Sequence, residues 1–380
     1  MNLVKDKLPI LCLLLVLWLT GQRDLFKFGA EFATLMSLGY LGILSWILGF
    51  NPRWWQQLLE RRWLVLSIAT ITAFFAVIVV YPYADGLKEV MRGSDQDDAV
   101  MICGQALLRG EFPYLQRTYF GNPASPAPGM LFLFLPSIIS GWYPLTTLIA
   151  LVLTTYFVQQ RTGHQAAVDF VAYLSTGLLF WDHLAVGLDL IVLGLLVLLT
   201  TELCSSSKSL KDVILVGLLC GILGATRTVF AFVPLMYGFI LFQRSKYHGL
   251  VVATLGALFT VCFHGIFLLW DQEHYTPLHL FGKGDVLLTG YWRPMALSIV
   301  SILGAYLIIK RSAKPYFAYQ VTLFTLGSSL GILAIASLFT FHQGNFAHWE
   351  GANYLMPLIP TLTFYLVAHR QSTSYESQSL

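Results

Sequence analysis

The chain has 380 residues, 56% of them hydrophobic and only 11% charged, against about 25% charged in an ordinary soluble domain. A single soluble core cannot hide that much apolar surface, whereas a bilayer can. The net charge of +3 is small, the lysines and arginines form no stripe, and no zinc-finger or RNA-binding motif is present, so no nucleic-acid partner is expected.

Lys5 and Lys7 precede an apolar run from Leu8 to Leu19, and Thr20-Gly21-Gln22-Arg23 after it offers no small-x-small cleavage site, so an uncleaved first span is expected. A spanning helix needs about 20 mostly apolar residues, fewer inside a bundle. Candidate segments are 8–20, 31–50, 63–81, 129–158, 166–182, 184–203, 213–225, 227–242, 249–270, 295–310, 316–338 and 353–368. The predicted fold is therefore an all-α integral membrane protein, a polytopic bundle of about 12 transmembrane helices, between roughly 10 and 13. The run 129–158 is too long for one straight span, and Pro136 and Gly141 are expected to break it. Residues 1–50 form an N-terminal pair of spans ahead of a main domain, 51–380. The five cysteines have neither metal-site nor disulfide spacing and read as small apolar fillers.

The short links at 51–62, 159–165, 204–212, 243–248 and 310–315 are all basic, and counting spans puts them on one side with Lys5, Lys7 and Arg370. That side is the cytoplasm. The opposite face carries the long loop 82–128 and two shorter ones, 271–294 and 339–352, rich in aromatics, histidine and acids.

The long loop contains Gly93-Ser94-Asp95-Gln96-Asp97-Asp98-Ala99, and Ala99, Ile102, Cys103, Ala106 and Leu107 then recur at helical spacing up to Gly110. The pattern predicts a short amphipathic helix over 95–109, capped by Ser94 or Asp95, with three carboxylates at its start. Capping needs one carboxylate. Three at one point repel one another, which suits a general base with a raised pKa.

Asp97-Asp98-Ala99, then Ala106-Leu107-Leu108-Arg109-Gly110-Glu111-Phe112-Pro113-Tyr114, then Asn122-Pro123 through Pro136, resembles the first outer loop of the GT-C superfamily of polytopic glycosyltransferases, closest to the polyprenol-phosphate-mannose-dependent mannosyltransferase type. Gly221-Ile222-Leu223-Gly224-Ala225-Thr226-Arg227 resembles that family's short hairpin with a basic tip, and Asn353-Tyr354-Leu355-Met356-Pro357 resembles the start of its late span. The layout is shared over roughly 61–368, but two extra spans precede it and Asn353 stands where an arginine is common.

The resemblance implies a GT-C-like domain over 51–380 with 82–128 as its catalytic loop, multi-pass in a plasma (inner) membrane, acting at the extracytoplasmic face. It implies inverting transfer of a hexose or pentose from a polyprenyl-phosphate sugar to a lipid, glycan or protein acceptor. Asp98 or Asp97 is the expected base. Arg227 is the first candidate for the donor phosphate, since a guanidinium grips phosphate with two hydrogen bonds, followed by Lys283 and Arg293. Asp95, Tyr114, Tyr119, Asp182, His183, His348, Glu350 and Tyr354 are candidate sugar or acceptor contacts. An Asp182–His183 contact would orient either group, and Asp189 is read as an intramembrane acid about two turns deeper. No dedicated metal site is expected, although the acidic cluster offers ligands for a divalent cation. The competing reading is a multi-span transporter, or a flippase or polymerase of lipid-linked glycans; a transporter should show inverted repeats with broken helices in matching positions.

Overall fold

The computed structural model describes residues 3–90, 93–279, 298–299, 301–302, 304–306 and 316–378. Their regular structure is helical, with one isolated bridge between Arg117 and Pro123. In chain order the helices are α1 (Leu3–Leu25), α2 (Ala30–Leu44), α3 (Arg53–Glu60), α4 (Arg62–Phe75), α5 (Tyr81–Gly86), α6 (Gln96–Leu108), α7 (Pro128–Leu133), α8 (Leu135–Ser140), α9 (Pro144–Thr162), α10 (His164–Leu174), α11 (Leu178–Val186), α12 (Leu190–Ser206), α13 (Leu210–Gly224), α14 (Val233–Phe242), α15 (Lys246–Trp270), α16 (Phe317–Thr340) and α17 (Ile359–Gln378). Lys283 and Arg293 lie outside the described residues, as does most of the candidate span 295–310.

Among the described residues, five helical stretches are long and apolar enough to cross a membrane: Lys7–Phe28, Ala30–Phe50, Arg62–Val90, Lys246–Trp270 and Phe317–Thr340. The pair α11 and α12 makes a sixth if counted as one span, bent by 119° at its break. Ile71, Phe75, Leu250 and Val261 are exposed along α4 and α15, as side chains facing lipid would be. The protein is thus all-α, with the helices of a membrane protein. The first pair of helices shares the common core: Leu13 and Leu17 are fully buried, and the Tyr40 hydroxyl donates to the Thr176 carbonyl at 2.9 Å.

Local chemistry sets several boundaries. The run 129–158 breaks where Pro136 and Gly141 predict: α8 begins beside Pro136 and ends at Gly141, which adopts φ +71°. Ser209 and Asp212 close a reciprocal capping box at the start of α13. Helices α13 and α15 pack through glycines, so closely that a Cβ at Gly221 would lie 2.4 Å from Phe259 Cβ. Small residues let membrane helices approach in this way. Two boundaries differ from expectation. The segments 166–182 and 184–203 are divided at 175–177 and 187–189, not near 183, because Gly177 and Gly187 interrupt the apolar run. The late span starts at Ile359, after nine residues of 3-10 helix, Glu350–Leu358.

Candidate functional site

The site begins where the Arg62–Val90 stretch ends. Beyond α4 a π-helical turn, Ala76–Val80, leads through α5 into a 3-10 turn, Leu87–Val90. Tyr81, Asp85 and Lys88 follow at near-helical spacing along this segment and share one face. Helix α6 starts at Gln96 and carries Asp97 and Asp98 in its first turn.

These residues meet. Asp97 is buried at 2% exposure, accepts from the Tyr81 hydroxyl at 2.7 Å through Oδ2, and pairs with Lys88 Nζ at 3.1 Å through Oδ1. Lys88, itself 5% exposed, also contacts Asp98 Oδ1 at 2.9 Å and pairs with Asp85. Burial pushes the Asp97 carboxyl up to about 6, against the pull of Lys88 and Tyr81, and the neighbouring Asp98 charge adds to the rise. Asp98 is more exposed than Asp97 as a side chain, but its Oδ2 is a buried atom with no hydrogen-bond partner among the described residues. Donor atoms of Asp85, Asp97 and Asp98 lie within 4.8 Å of one another, the spacing of a divalent-cation ligand set. The Lys88 ammonium already stands among them, so the donor set does not fit a metal while that lysine is in place.

The third acid of the cluster behaves differently from expectation. Asp95 occupies the N-cap position of α6, but its side chain makes no capping bond. Its Oδ2 instead accepts from Thr118 Oγ1 and from Asn122 Nδ2 at 2.9 Å, stapling the far arm of the loop, while Ser94 Oγ accepts from the Gln96 amide. Tyr114 is also corrected: its ring is 3% exposed, edge-on to Phe112, Phe267 and Tyr275, in a core that cannot stack on a sugar. Tyr119, at 57% exposure, remains accessible.

The second half of the site lies at two helix breaks. Gly187, at φ +75°, ends α11, and Asp189 stands at the N-cap of α12. Arg227 lies in the break between α13 and α14. Asp189 is therefore not an acid buried mid-helix. It takes the Arg227 guanidinium with two oxygens, Nε to Oδ2 at 3.1 Å and Nη2 to Oδ1 at 2.6 Å. Arg227 Nη1 makes no hydrogen bond among the described residues, and the side chain is 26% exposed. The tip of this hairpin also meets the end of the long loop, because the Gly129 amide donates to the Ala225 carbonyl at 2.9 Å.

The halves are in contact. The Tyr81 ring stacks on Tyr143, with centroids 6.3 Å apart, and both rings pack on Gly187, where a Cβ would come within 2.6 Å of Tyr81 Cε2. Tyr143 is buried with an unpartnered hydroxyl, in the electrostatic field of Asp189, Asp97 and Arg227.

A third group closes the same end. Asp182 and His183, adjacent on α11, do not orient each other. Asp182 pairs with Arg23 at 3.2 Å and Lys27 at 3.4 Å, whereas buried His183 places Nε2 3.3 Å from Asn353 Oδ1, which also accepts from Arg23. Tyr354 lies in the field of Arg227. Glu350 is exposed at the start of the 3-10 helix and takes no part in these contacts, and His348 ends a 3-10 turn, Phe346–His348, its side chain outside the description. Lys88, Asp85, Tyr81, Tyr143 and Arg23 were not anticipated. A signal was present for two of them: Arg23 and Lys88, like Lys27, are cations on the side where the span count leaves cations scarce.

No protein-family model, curated protein or solved structure matches this chain.

Proposed function

We propose that this protein is a membrane glycosyltransferase that takes its sugar from a polyprenyl-phosphate donor at the extracytoplasmic face. The observation that carries the reading is the continuous contact from the carboxylates of the long loop, through Tyr81, Tyr143 and Gly187, to a guanidinium with one free edge. An acid–base group and an anion-binding group within one site are what displacement at an anomeric carbon with a phosphate leaving group requires. The shorter helices, α9 to α14 and α17, are taken to complete a bundle of about 12 spans.

In this reading Asp98 is the base. The acceptor hydroxyl gives its proton to the Asp98 carboxylate as the acceptor oxygen bonds to the anomeric carbon. The bond from that carbon to the phosphate oxygen breaks, with inversion, and polyprenyl phosphate leaves. Arg227 holds the phosphate through Nη1 while Asp189 fixes the guanidinium plane. Detergent-purified protein should release polyprenyl phosphate from a polyprenyl-phosphate hexose or pentose and ignore nucleotide sugars. Turnover of a nucleotide sugar with no lipid donor present would sink the reading.

One observation favours the second reading, a transporter or flippase: the 119° break between α11 and α12, with an ion pair at it, is the kind of interrupted helix found at transport sites. Lipid-linked sugar crossing vesicles at an undiminished rate in Asp98→Asn, with no product formed by the wild type, would select it.

A further inference from the structure

We propose that Lys88 is a built-in cation standing where a divalent metal would otherwise bind, and that it is the positioning residue for the Asp97–Asp98 pair. The proposal rests on the transferase reading for its catalytic consequence, but the cation role stands on geometry alone. Three carboxylates reach metal-ligand spacing, and one ammonium fills their centre. An ammonium has three N–H donors; Nζ hydrogen-bonds both oxygens of Asp97 and stands within ion-pair distance of Asp85 and Asp98.

The partners explain why this lysine positions rather than merely neutralises. Asp97 is held from both sides, with Tyr81 on Oδ2 and Lys88 on Oδ1, so neither oxygen is free. Asp98 is held through Oδ1 only, which leaves Oδ2 unpartnered. Lys88 thus holds the Asp98 carboxylate by one oxygen, beside the Asp97 carboxylate that it also holds. Asp95 does not compete, because Thr118 and Asn122 turn it away. The remaining polar group nearby is Tyr143, stacked on Tyr81 with its hydroxyl unpaired. Lys88 itself sits in a 3-10 turn at the end of a long helical stretch and is almost fully buried, so its Nζ is not free to leave the cluster for solvent. A cation supplied by the chain cannot be chelated away. Removing it would leave three carboxylates already spaced for a metal.

Lys88→Ala and Lys88→Arg test this on purified, monodisperse protein, with Lys88→Met replacing the alanine variant if that variant fails to fold. Mn2+ binding is followed by electron paramagnetic resonance, and transfer is assayed with and without EDTA. The wild type is expected to bind no Mn2+ at the cluster and to keep its rate in EDTA. Lys88→Ala should bind one Mn2+, lose transfer by about 10²-fold or more in EDTA, and regain part of it with Mn2+. Lys88→Arg should keep more activity than Lys88→Ala and bind no Mn2+. Mn2+ binding by the wild type that disappears in Asp98→Asn would overturn the proposal, and so would full transfer in EDTA by folded Lys88→Ala. If the wild type transfers no sugar at all, the transferase reading fails, and the Mn2+ measurements still decide the role of Lys88.

Discussion

The two ends of this molecule handle charge in opposite ways. At the end that holds the long loop, cations are bound by carboxylates: Lys88 by Asp85, Asp97 and Asp98, Arg227 by Asp189, and Arg23 and Lys27 by Asp182. At the other end, arginines mostly grip neutral oxygen. Arg244 donates to the carbonyls of Cys204 and Ser205 in the last turn of α12, and Arg370 to the Leu48 carbonyl and the Tyr173 hydroxyl. Arg161 bonds Ser206 and lies 3.6 Å from Glu202. A cation on terminal carbonyls satisfies unpaired acceptors and the helix dipole, which is a structural task. Stacked carboxylates around a buried cation do not help a fold in that way, since desolvation costs about as much as the pairing returns. That concentration of paired groups at one end is what the transferase proposal rests on.

The sharpest difference is all-or-none. A cysteine at Glu111, which is exposed in the long loop, should react with a membrane-impermeant thiol reagent on intact cells, scored against the parent chain with its exposed Cys262. A cysteine at Lys208 should react only after the cells are opened. The reverse pattern would invert the orientation. Native Cys103 is no reporter, because it is fully buried, its thiol donates to the Pro113 carbonyl, and burial pushes it up to about 12.

Next in size is the base. Asp98→Asn should lower the transfer rate by about 10²–10⁴ with the protein still folded. Asp95→Asn, whose side chain only staples the loop, should change the rate little. Equal losses at both positions would show that the loss reports loop structure. At the second pair, Asp189→Ala strands Arg227 without its partner, and removing one member of a buried pair costs about 3–5 kcal/mol. Arg244→Ala at the opposite end removes only a carbonyl and dipole contact, about 0.3–1 kcal/mol. Comparable losses in thermal unfolding would erase the distinction between the ends.

The smallest effect is in pH. Asp97 is a carboxylate above about pH 6 and protonated below it. Its ion pair with Lys88 weakens as the pH falls through that value, so transfer should decline with a midpoint near 6. Asp97→Asn, neutral throughout, should lack that limb. The stability sign runs the other way. A carboxyl raised on folding contributes stability at low pH that is lost as the pH rises through about 6. Asp97→Asn should therefore not lower the melting temperature at neutral pH, although it costs activity. A melting temperature that drops at neutral pH would make Asp97 a structural anchor.

Much of the local architecture is written within windows of a few residues. Apolar spacing from Ala99 to Leu107 places α6 over Gln96–Leu108, Pro136 and Gly141 break a run too long to be one helix, and the turn at Arg227 divides the 213–242 hairpin. Each follows from backbone propensity and periodicity, which nearby residues determine. Partnerships are another matter. Asp95 reads as a cap by position, yet Thr118, 23 residues on, takes its carboxylate. Asp189 reads as a buried acid until Arg227 arrives from 38 residues away, and Arg23 reaches Asn353 across 330. Lys88 meets its acids only when α6 folds over it. Sequence alone determined the breaks at Pro136, Gly141 and Arg227, the extent of α6, and that acids gather at one end, because those depend on local chemistry and hydropathy, though it did not place the divisions at 175–177 and 187–189 or the start of the late span. Which acid meets which cation was decided only by tertiary packing, because Coulomb pairing depends on distance in space, and distance between helices is not written in the order of the chain.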